Sequence, residues 1–148
     1  MKIAVACDHG GINLKNAVLK EISDKYDIND FGTYSEDSVD YIVYAEKVAS
    51  AVQGKTADFG LLFCGTGIGM SLVANKFKGV RAACCSEAFS AEFTRRHNDA
   101  NVLCLGGRVV SEEKAIELVK FFLNTEFEGG RHQRRVDMIS EIENKNFK

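Results

Sequence analysis

The sequence predicts a doubly wound α/β fold: a parallel sheet of about five strands with helices on both faces, arranged as a Rossmann-like three-layer sandwich. Three observations predict it. Strand-like and helix-like segments alternate along the chain, the strand segments are almost continuously apolar, and glycine-bearing loops follow the first and third of them. The 148 residues show no linker and no internal repeat, so we expect a single domain over residues 1–148.

Each element follows from local composition. Apolar runs bounded by glycine or polar residues predict strands at Lys2–Cys7, Tyr26–Phe31, Asp58–Cys64, Val80–Cys85 and Asn101–Gly106. Apolar residues at helical spacing predict helices at Ile12–Ile22, Tyr41–Gln53, Met70 to about Phe77, Ser86–His97, Ser111–Leu123 and about 131–145. Ser86 and Ser111 are the expected N-caps of their helices.

Composition excludes several classes of function. The net charge of −2 gives no sign of a nucleic-acid partner, and no apolar run is long enough to cross a membrane. The N-terminus has no secretory leader, so we expect a cytoplasmic protein. Five cysteines without a Cys-x-x-Cys pair argue against both a disulfide framework and a metal site. Four of them, Cys7, Cys84, Cys85 and Cys104, are expected to be small buried residues.

The segment from Cys64 to Gly69, with the sequence CGTGIG, joins the third predicted strand to a helix. Its glycines let the backbone approach a ligand closely, and the helix start presents free N–H groups, so the segment predicts an anion-binding loop. A tight turn that uses glycine only for geometry is the alternative. The spacing fits neither a dinucleotide fingerprint nor a Walker loop, and no cofactor is expected.

Cys64 is the candidate catalytic residue, because it lies where the strand ends and this amide-rich turn begins. Nearby N–H dipoles favour its thiolate, which can act as a nucleophile or as a general base. The alternative is one more buried cysteine. Its place at the carboxyl edge of the sheet, where ligands bind in such folds, favours function.

Cations and histidines supply further candidates. Arg131 and Arg135 are four residues apart on one helix face, which suits a phosphate, although a solvated basic helix end has the same pattern. Arg108 follows the fifth strand, and Asp8-His9 follows the first, both at the expected ligand edge. His97 lies in a polar turn beside Asn98 and can transfer protons near neutrality. His132 is expected to be exposed.

These segments together resemble type B ribose-5-phosphate isomerases. The resemblance spans nearly the whole chain, in order, and rests on VACDHGG, DFGT, CGTGIGMSLVANK, GVRAA, RRHNDANVL, GGRVV and EFEGGRHQRRV. Members of this family interconvert ribose 5-phosphate and ribulose 5-phosphate, and relatives act on allose or galactose 6-phosphate. The resemblance therefore implies an aldose–ketose isomerase acting on a small sugar phosphate through an enediolate.

The resemblance also implies a role for each candidate. Cys64 would take the proton from C2 of the open-chain sugar, and His97 would open the furanose ring. The amides of Gly65, Thr66, Gly67, Ile68 and Gly69 would hold the enediolate, with Thr66 shuttling protons. Asp8 and Asn98 would bind sugar oxygens. The phosphate would be bound by His9, Arg108, Arg131 and Arg135.

Two positions separate this chain from other members of the family. Some members use a Glu where this chain has Met70 and lack a cysteine at position 64, so the cysteine route is expected here. The family usually has Pro after Tyr41, where this chain has Ile42, which leaves the role of Tyr41 open. A six-carbon sugar phosphate and a non-catalytic phosphometabolite-binding module are the alternative functions.

Topology predicts that the site is shared between two subunits. A helix runs antiparallel to the strand before it, so His97, at the end of its helix, should lie far from Cys64 in the same chain. The same reasoning places Arg131 and Arg135 far from Cys64 of their own chain, unless the final helix crosses over. We therefore expect a homodimer, which can pair into a dimer of dimers, with the C-terminal helix packing on the partner subunit.

Overall fold

The structure, a computed structural model, describes residues 1–147 and has five parallel strands in one sheet. The strands are β1 Lys2–Cys7, β2 Asp27–Asp30, β3 Phe59–Cys64, β4 Ala82–Cys84 and β5 Val102–Gly106. The helices are α1 Ile12–Ile22, α2 Tyr41–Gln53, α3 Ile68–Ala74, α4 Ala88–Asn98, α5 Glu112–Asn124 and α6 Arg131–Asn146. The predicted α/β fold class is confirmed.

Alternate residues of the strands face two separate hydrophobic cores. On one face, side chains such as Val5, Phe63 and Leu105 pack against α1, α4 and α5. On the other face, Ala4, Leu62 and Cys104 pack against α2 and α3. Both faces of the sheet are therefore covered, which explains why the strands read as continuous apolar runs rather than as alternating ones. Helix α6 lies outside these layers and packs against α4.

The strand order is β2-β1-β3-β5-β4, so β5 lies between β3 and β4. From β1 the chain moves to β2 on one side, and from β3 it moves towards β4 on the other side. The carboxyl ends of β1 and β3 therefore flank a point where the winding direction reverses, and a crevice for ligands forms at such a point. The loops that carry Asp8 and Cys64 begin there.

Several predicted boundaries are wrong by one to three residues. Helix α3 begins at Ile68 rather than Met70, because Gly67 adopts a left-handed conformation with φ 81° and starts the helix earlier. Ser86 is not the N-cap of α4: Glu87 takes that position, and its carboxylate accepts from the Ser90 N–H at 3.1 Å. These hydrogen bonds from Ser90 lower the pKa of Glu87. The predicted cap Ser111 is confirmed, since it accepts from Lys114 N–H.

Across residues 1–147, none of the helices combines the length and the apolar character that crossing a lipid bilayer requires.

Candidate active site

Three loops meet at the carboxyl edge of the sheet, after β1, β3 and β5. Gly107 N–H donates to the carbonyl of Cys64 at 2.7 Å, and Arg108 N–H donates to the carbonyl of Gly65 at 2.9 Å. Asp8 N–H donates to the carbonyl of Phe63 at 3.0 Å. The main chain therefore joins the three loops, and the predicted residues Asp8, His9, Cys64–Gly69 and Arg108 form one cluster, here called the carboxyl-edge group.

Cys64 lies at the base of this cluster. Its side chain is 4% exposed, and its Sγ accepts from the Gly67 N–H at 3.1 Å. That N–H comes from the residue with φ 81°, so the left-handed turn directs the donor back to the sulfur. The contact places an N–H donor against the sulfur, an arrangement that suits a cysteine acting as base or nucleophile.

Other members of the carboxyl-edge group surround the loop. A β-carbon at position 65 would lie 3.2 Å from Nη1 of Arg108, so the guanidinium reaches over the loop. Nδ1 of His9 accepts from the Val39 N–H at 3.2 Å, which assigns the proton of a neutral ring to Nε2 and makes that atom a donor. Asp8, 7% exposed, accepts from the Gly10 N–H at 2.8 Å.

Free N–H groups point to an anion-binding role for the loop. The Thr66 Oγ1 accepts from the Ile68 N–H at 3.2 Å. Within residues 1–147, the N–H groups of Gly65 and Gly69 have no hydrogen-bond partner. Unpartnered amides at a strand-to-helix turn suit a phosphate or a developing oxyanion.

Two residues that sequence analysis did not assign also border this loop. The ring of Tyr41 covers Gly69, where a β-carbon would come within 2.8 Å of it. Cys84, which was expected to be buried, is exposed, and its Sγ lies 3.5 Å from the carbonyl of Thr66. The correction follows from strand order: β4 is the short edge strand, and the sequence does not show that β5 separates it from β3.

The remaining candidates, His97, Asn98, Arg131 and Arg135, form a second cluster, here called the amino-edge group. Arg95, two residues before His97, donates to the carbonyl of Ala100 at 2.7 Å, just before β5 begins. Cys64 pairs in register with Gly106, at the other end of β5. With about 3.3 Å per strand residue, the two clusters are separated by roughly 13 Å along the strand. The structure does not bring His97 and Cys64 of one chain together.

His97 lies in a compact group of side chains. Its ring stacks on His132 with centroids 4.0 Å apart, and its Nε2 is 3.7 Å from Oε1 of Glu128. His132 was expected to be exposed, but it is 7% exposed and packs where α6 meets α4. Burial, with the neighbouring His97 and Arg131, lowers the pKa of His132. The expectation failed because the helix spacing alone does not show that α4 covers this position.

The two phosphate candidates on α6 remain available. Arg131 and Arg135 are exposed on either side of the buried His132, and in the described part of the chain neither forms an ion pair. They therefore offer two guanidiniums, one helical turn apart, to an anion that approaches from outside the chain.

The fold and the clustered residues define a parallel α/β protein with a glycine-rich loop and a thiol at its switch point. Residues 3–139 match the model of the family described as Ribose/Galactose Isomerase, and the chain belongs to that family. "Ribose-5-phosphate isomerase B" of Escherichia coli is 48% identical over 143 residues, which cover 96% of each protein.

Solved structures agree over the full fold. Ribose-5-phosphate isomerase B of Clostridium thermocellum superposes with a TM-score of 0.96 at 47% identity, covering 98% of this chain and 99% of that one. The enzyme of Mycoplasma genitalium, solved with bound ribulose 5-phosphate, has a TM-score of 0.94 at 40% identity and covers 98% and 97% of the two chains.

Proposed function

We propose that this chain interconverts ribose 5-phosphate and ribulose 5-phosphate through an enediolate, with Cys64 as the catalytic base. The observation that carries the proposal is the 3.1 Å hydrogen bond from Gly67 N–H to Cys64 Sγ, which places an N–H donor against the sulfur inside the glycine-rich loop. The Escherichia coli relative and the Mycoplasma genitalium complex support this choice of sugar.

The proposed reaction uses the loop for both of its steps. The Cys64 thiolate removes the proton from C2 of the open-chain aldose, and negative charge develops on the oxygen at C1. The free N–H groups of Gly65 and Gly69 stabilise that oxygen, and Thr66 moves protons between the two sugar oxygens. Cys64 then returns its proton to C1, which completes the ketose. Residue 70 takes no part, because Met70 is fully buried and has no basic group.

Binding and ring opening are assigned to the other candidates. His97 opens the furanose ring as an acid or base, and Asp8 and Asn98 bind sugar hydroxyls. The phosphate is bound by four cations or donors from both clusters: His9, Arg108, Arg131 and Arg135. Tyr41, which covers Gly69, forms one wall of the sugar pocket.

The separation of the two clusters supports a site shared between two subunits. A single chain holds its amino-edge group roughly 13 Å from its own Cys64, too far for groups that act on one sugar. A two-fold homodimer brings the amino-edge group of one subunit to the carboxyl-edge group of the other. The exposed apolar residues Ile68, Leu72 and Phe89, near the edge strand β4, suit such an interface.

The proposal also includes the oligomeric state and the cellular compartment. Met138, Ile139 and Ile142 are exposed on α6, and packing of this helix on a partner subunit would cover them. A dimer of dimers is compatible with this arrangement. All five cysteines are free thiols, which fits a reducing compartment, and we infer a cytoplasmic enzyme that uses no nucleic acid or membrane.

A spectrophotometric assay with purified protein tests the reaction. Ribose 5-phosphate, allose 6-phosphate and galactose 6-phosphate are compared, and we expect the five-carbon sugar to give the highest kcat/KM. No isomerisation of any of the three would contradict the proposed function, and a binding module would then be the better description. A higher kcat/KM for a six-carbon sugar phosphate would make that sugar the preferred substrate and leave the reaction class unchanged.

Mixing two inactive variants tests the shared site. Cys64→Ala and His97→Ala dimers are mixed under conditions that allow subunit exchange, which mass spectrometry of isotope-labelled chains verifies. A mixed dimer has one doubly damaged site and one intact site, so about a quarter of the wild-type activity should return. Verified exchange without recovered activity would place both residues in one chain.

A further inference from the structure

A group of three metal-ligand side chains lies between α4, the segment before α6, and α6 itself. Nε2 of His97 is 3.7 Å and Nε2 of His132 is 3.6 Å from the same oxygen, Oε1 of Glu128. Each of the three residues offers a ligand atom, and all three atoms lie within 4.8 Å of one another. In a tetrahedral zinc site with bonds of about 2.0–2.1 Å, neighbouring ligand atoms are about 3.3 Å apart.

The ligand atoms are not engaged elsewhere. Over residues 1–147, the imidazoles of His97 and His132 form no hydrogen bond within 3.5 Å. Their distances to Oε1 of Glu128 exceed that limit. Arg96 contacts Glu128 through the other carboxylate oxygen, Oε2, at 3.5 Å. Oε1 and the two Nε2 atoms therefore face one another without a stronger partner.

We propose that His97, Glu128 and His132 form a binding site for a divalent transition-metal ion of the Zn²⁺ class. Two imidazoles and one carboxylate are a ligand set that Zn²⁺, Co²⁺ and Ni²⁺ accept. Mg²⁺ and Ca²⁺ prefer oxygen ligands, and two of the three ligands here are nitrogens. Three protein ligands leave a fourth position open to water or to an oxygen of a bound small molecule.

Metal binding requires one local movement. The two rings are stacked, with planes 10° apart, so their Nε2 lone pairs lie in nearly parallel planes and do not converge on one point. His132 is buried and fixed, whereas the side chain of His97 is 38% exposed and has room to turn. The ion therefore opens the stack by rotating His97, and it draws the Nε2 atoms towards a common centre.

Neighbouring charges determine how tightly the site binds a metal ion. Arg96 contacts Glu128, and Arg131 and Arg135 flank His132 on α6. Three guanidiniums near one carboxylate weaken the attraction for a cation. Glu92 offsets one of them through its ion pair with Arg96 at 2.9 Å. The site therefore binds metal reversibly and does not hold it as a permanent structural element.

A metal ion here acts on the isomerase, and this part of the inference rests on the proposed function. The ion takes the Nε2 lone pair of His97, so that atom can no longer accept or deliver the proton that opens the furanose ring. Zn²⁺ is therefore a reversible inhibitor that acts through His97 of the amino-edge group.

Cobalt titration without sugar tests the site alone. Tetrahedral Co²⁺ absorbs visible light when imidazole and carboxylate bind it, and isothermal calorimetry with Zn²⁺ gives the affinity and stoichiometry. We expect one ion per chain, and His132→Gln and Glu128→Gln should each weaken binding about tenfold or more. Glu126→Gln, an exposed acid in the same segment, is the matched control and should bind as wild type does. Circular dichroism checks that each variant is folded.

Thiols are the competing ligands, and a Cys64→Ala, Cys84→Ala double variant removes the two that border the Cys64–Gly69 loop. Unchanged binding in this variant supports the histidine site. Binding that disappears with the two cysteines, or that survives both His132→Gln and Glu128→Gln, would overturn the site.

Inhibition is then measured with ribose 5-phosphate and Zn²⁺, each variant relative to its own metal-free rate. We expect Glu128→Gln to need at least a tenfold higher zinc concentration for half-inhibition. If the protein binds Zn²⁺ but is not inhibited by it, the proposed inhibition is wrong and the proposed metal site remains. Metal binding by a protein that isomerises none of the three sugars would leave the site standing and remove the proposed function.

Discussion

The carboxyl-edge and amino-edge groups are positioned by different kinds of contact. Around Cys64 the contacts are made by the main chain, through the N–H groups of Gly67 and Gly107. Around His97 the side chains of Arg95 and Arg96 connect the end of α4 to the segments that follow it, beside one main-chain bond from Glu128 N–H to the Arg96 carbonyl. One group is therefore built from backbone geometry and the other from charged side chains.

This difference determines which substitutions damage each group. Main-chain contacts survive most changes of side chain and fail where a β-carbon cannot fit or φ is positive. Contacts made by side chains fail when a single charged group is removed. Each group can therefore be disturbed separately, and we expect effects on chemistry at the carboxyl edge and effects on affinity or stability at the amino edge.

The largest effect is expected from Cys64→Ala. Removal of the proposed base should lower kcat at least about a thousandfold while the unfolding transition stays within ~1 kcal/mol of wild type. Cys84→Ala is the matched control, because Cys84 borders the same loop at 3.5 Å from the Thr66 carbonyl but has no assigned role in catalysis. Activity of Cys64→Ala within a few-fold of wild type would refute the assignment of the base.

Alkylation sharpens this test. Burial raises the pKa of Cys7 and Cys85 to about 11, so both remain unreactive thiols at pH 8. In the Cys84→Ala variant, iodoacetamide should therefore inactivate through Cys64, and ribose 5-phosphate should slow the inactivation. Mass spectrometry identifies the labelled residue, and inactivation without label on Cys64 would count against the prediction.

A smaller effect is expected at the arginines of α6. Arg131→Met and Arg135→Met should each raise KM about 10–100-fold with little change in kcat, because each removes one charge-assisted hydrogen bond to the phosphate. Arg134→Met is the control on the same helix, where the side chain of Arg134 donates a hydrogen bond to Met138. If all three variants keep the KM of the wild type, α6 does not bind the phosphate.

Two glycines have nearly the same backbone conformation, so alanine at each position distinguishes the cost of backbone strain from the cost of steric crowding. Gly67 has φ 81° and Gly79 has φ 78°, but a β-carbon at 67 would lie 3.0 Å from Cys84 Sγ, whereas the space at 79 is empty. Gly79→Ala should cost about 1–2 kcal/mol of unfolding free energy and leave kcat unchanged. Gly67→Ala should cost about 1–3 kcal/mol more and lower kcat about tenfold by displacing the N–H that Cys64 accepts.

Urea unfolding and steady-state kinetics of both alanine variants check this comparison. Loss of activity in Gly79→Ala as large as in Gly67→Ala would mean that the left-handed turn at Gly67 has no special part in positioning Cys64.

A small effect on activity is expected from Arg95→Met, whose main effect is on stability. Arg95 is 7% exposed and donates to Asp99, Ala100 and Thr125. Its loss should reduce the unfolding free energy by about 2–4 kcal/mol and kcat/KM by less than tenfold, since it acts by holding the end of α4. Arg96→Met, on the exposed neighbour, should cost under about 1 kcal/mol. If urea unfolding shows equal destabilisation of Arg95→Met and Arg96→Met, the distinction between the two arginines is wrong.

The sequence predicted those features that depend on neighbouring residues. The apolar runs, the glycine loop and Ser111 are local patterns, and they gave the fold class, the carboxyl-edge group and one helix cap. The separation of His97 from Cys64 also followed from local reasoning, because a helix that runs back along its strand needs no further information.

Features that depend on distant segments were missed. Cys84 is exposed because β4 is an edge strand, and His132 is buried because α6 packs on α4, and neither arrangement is written in the local pattern. Glu87 replaced Ser86 as a cap because its longer side chain reaches the Ser90 N–H. The meeting of His97 with Glu128 and His132 likewise requires two segments about thirty residues apart in sequence.

The position of β5 between β3 and β4 has a consequence for biosynthesis. Gly107 N–H and Arg108 N–H hold the carbonyls of Cys64 and Gly65, yet they follow Cys64 by more than forty residues in the chain. A nascent chain that has emerged only as far as β4 has an unfilled gap beside β3 and an unsupported thiol loop. Activity therefore cannot precede insertion of a central strand, and a ribosome-bound intermediate would hold the candidate catalytic cysteine in an unfinished pocket.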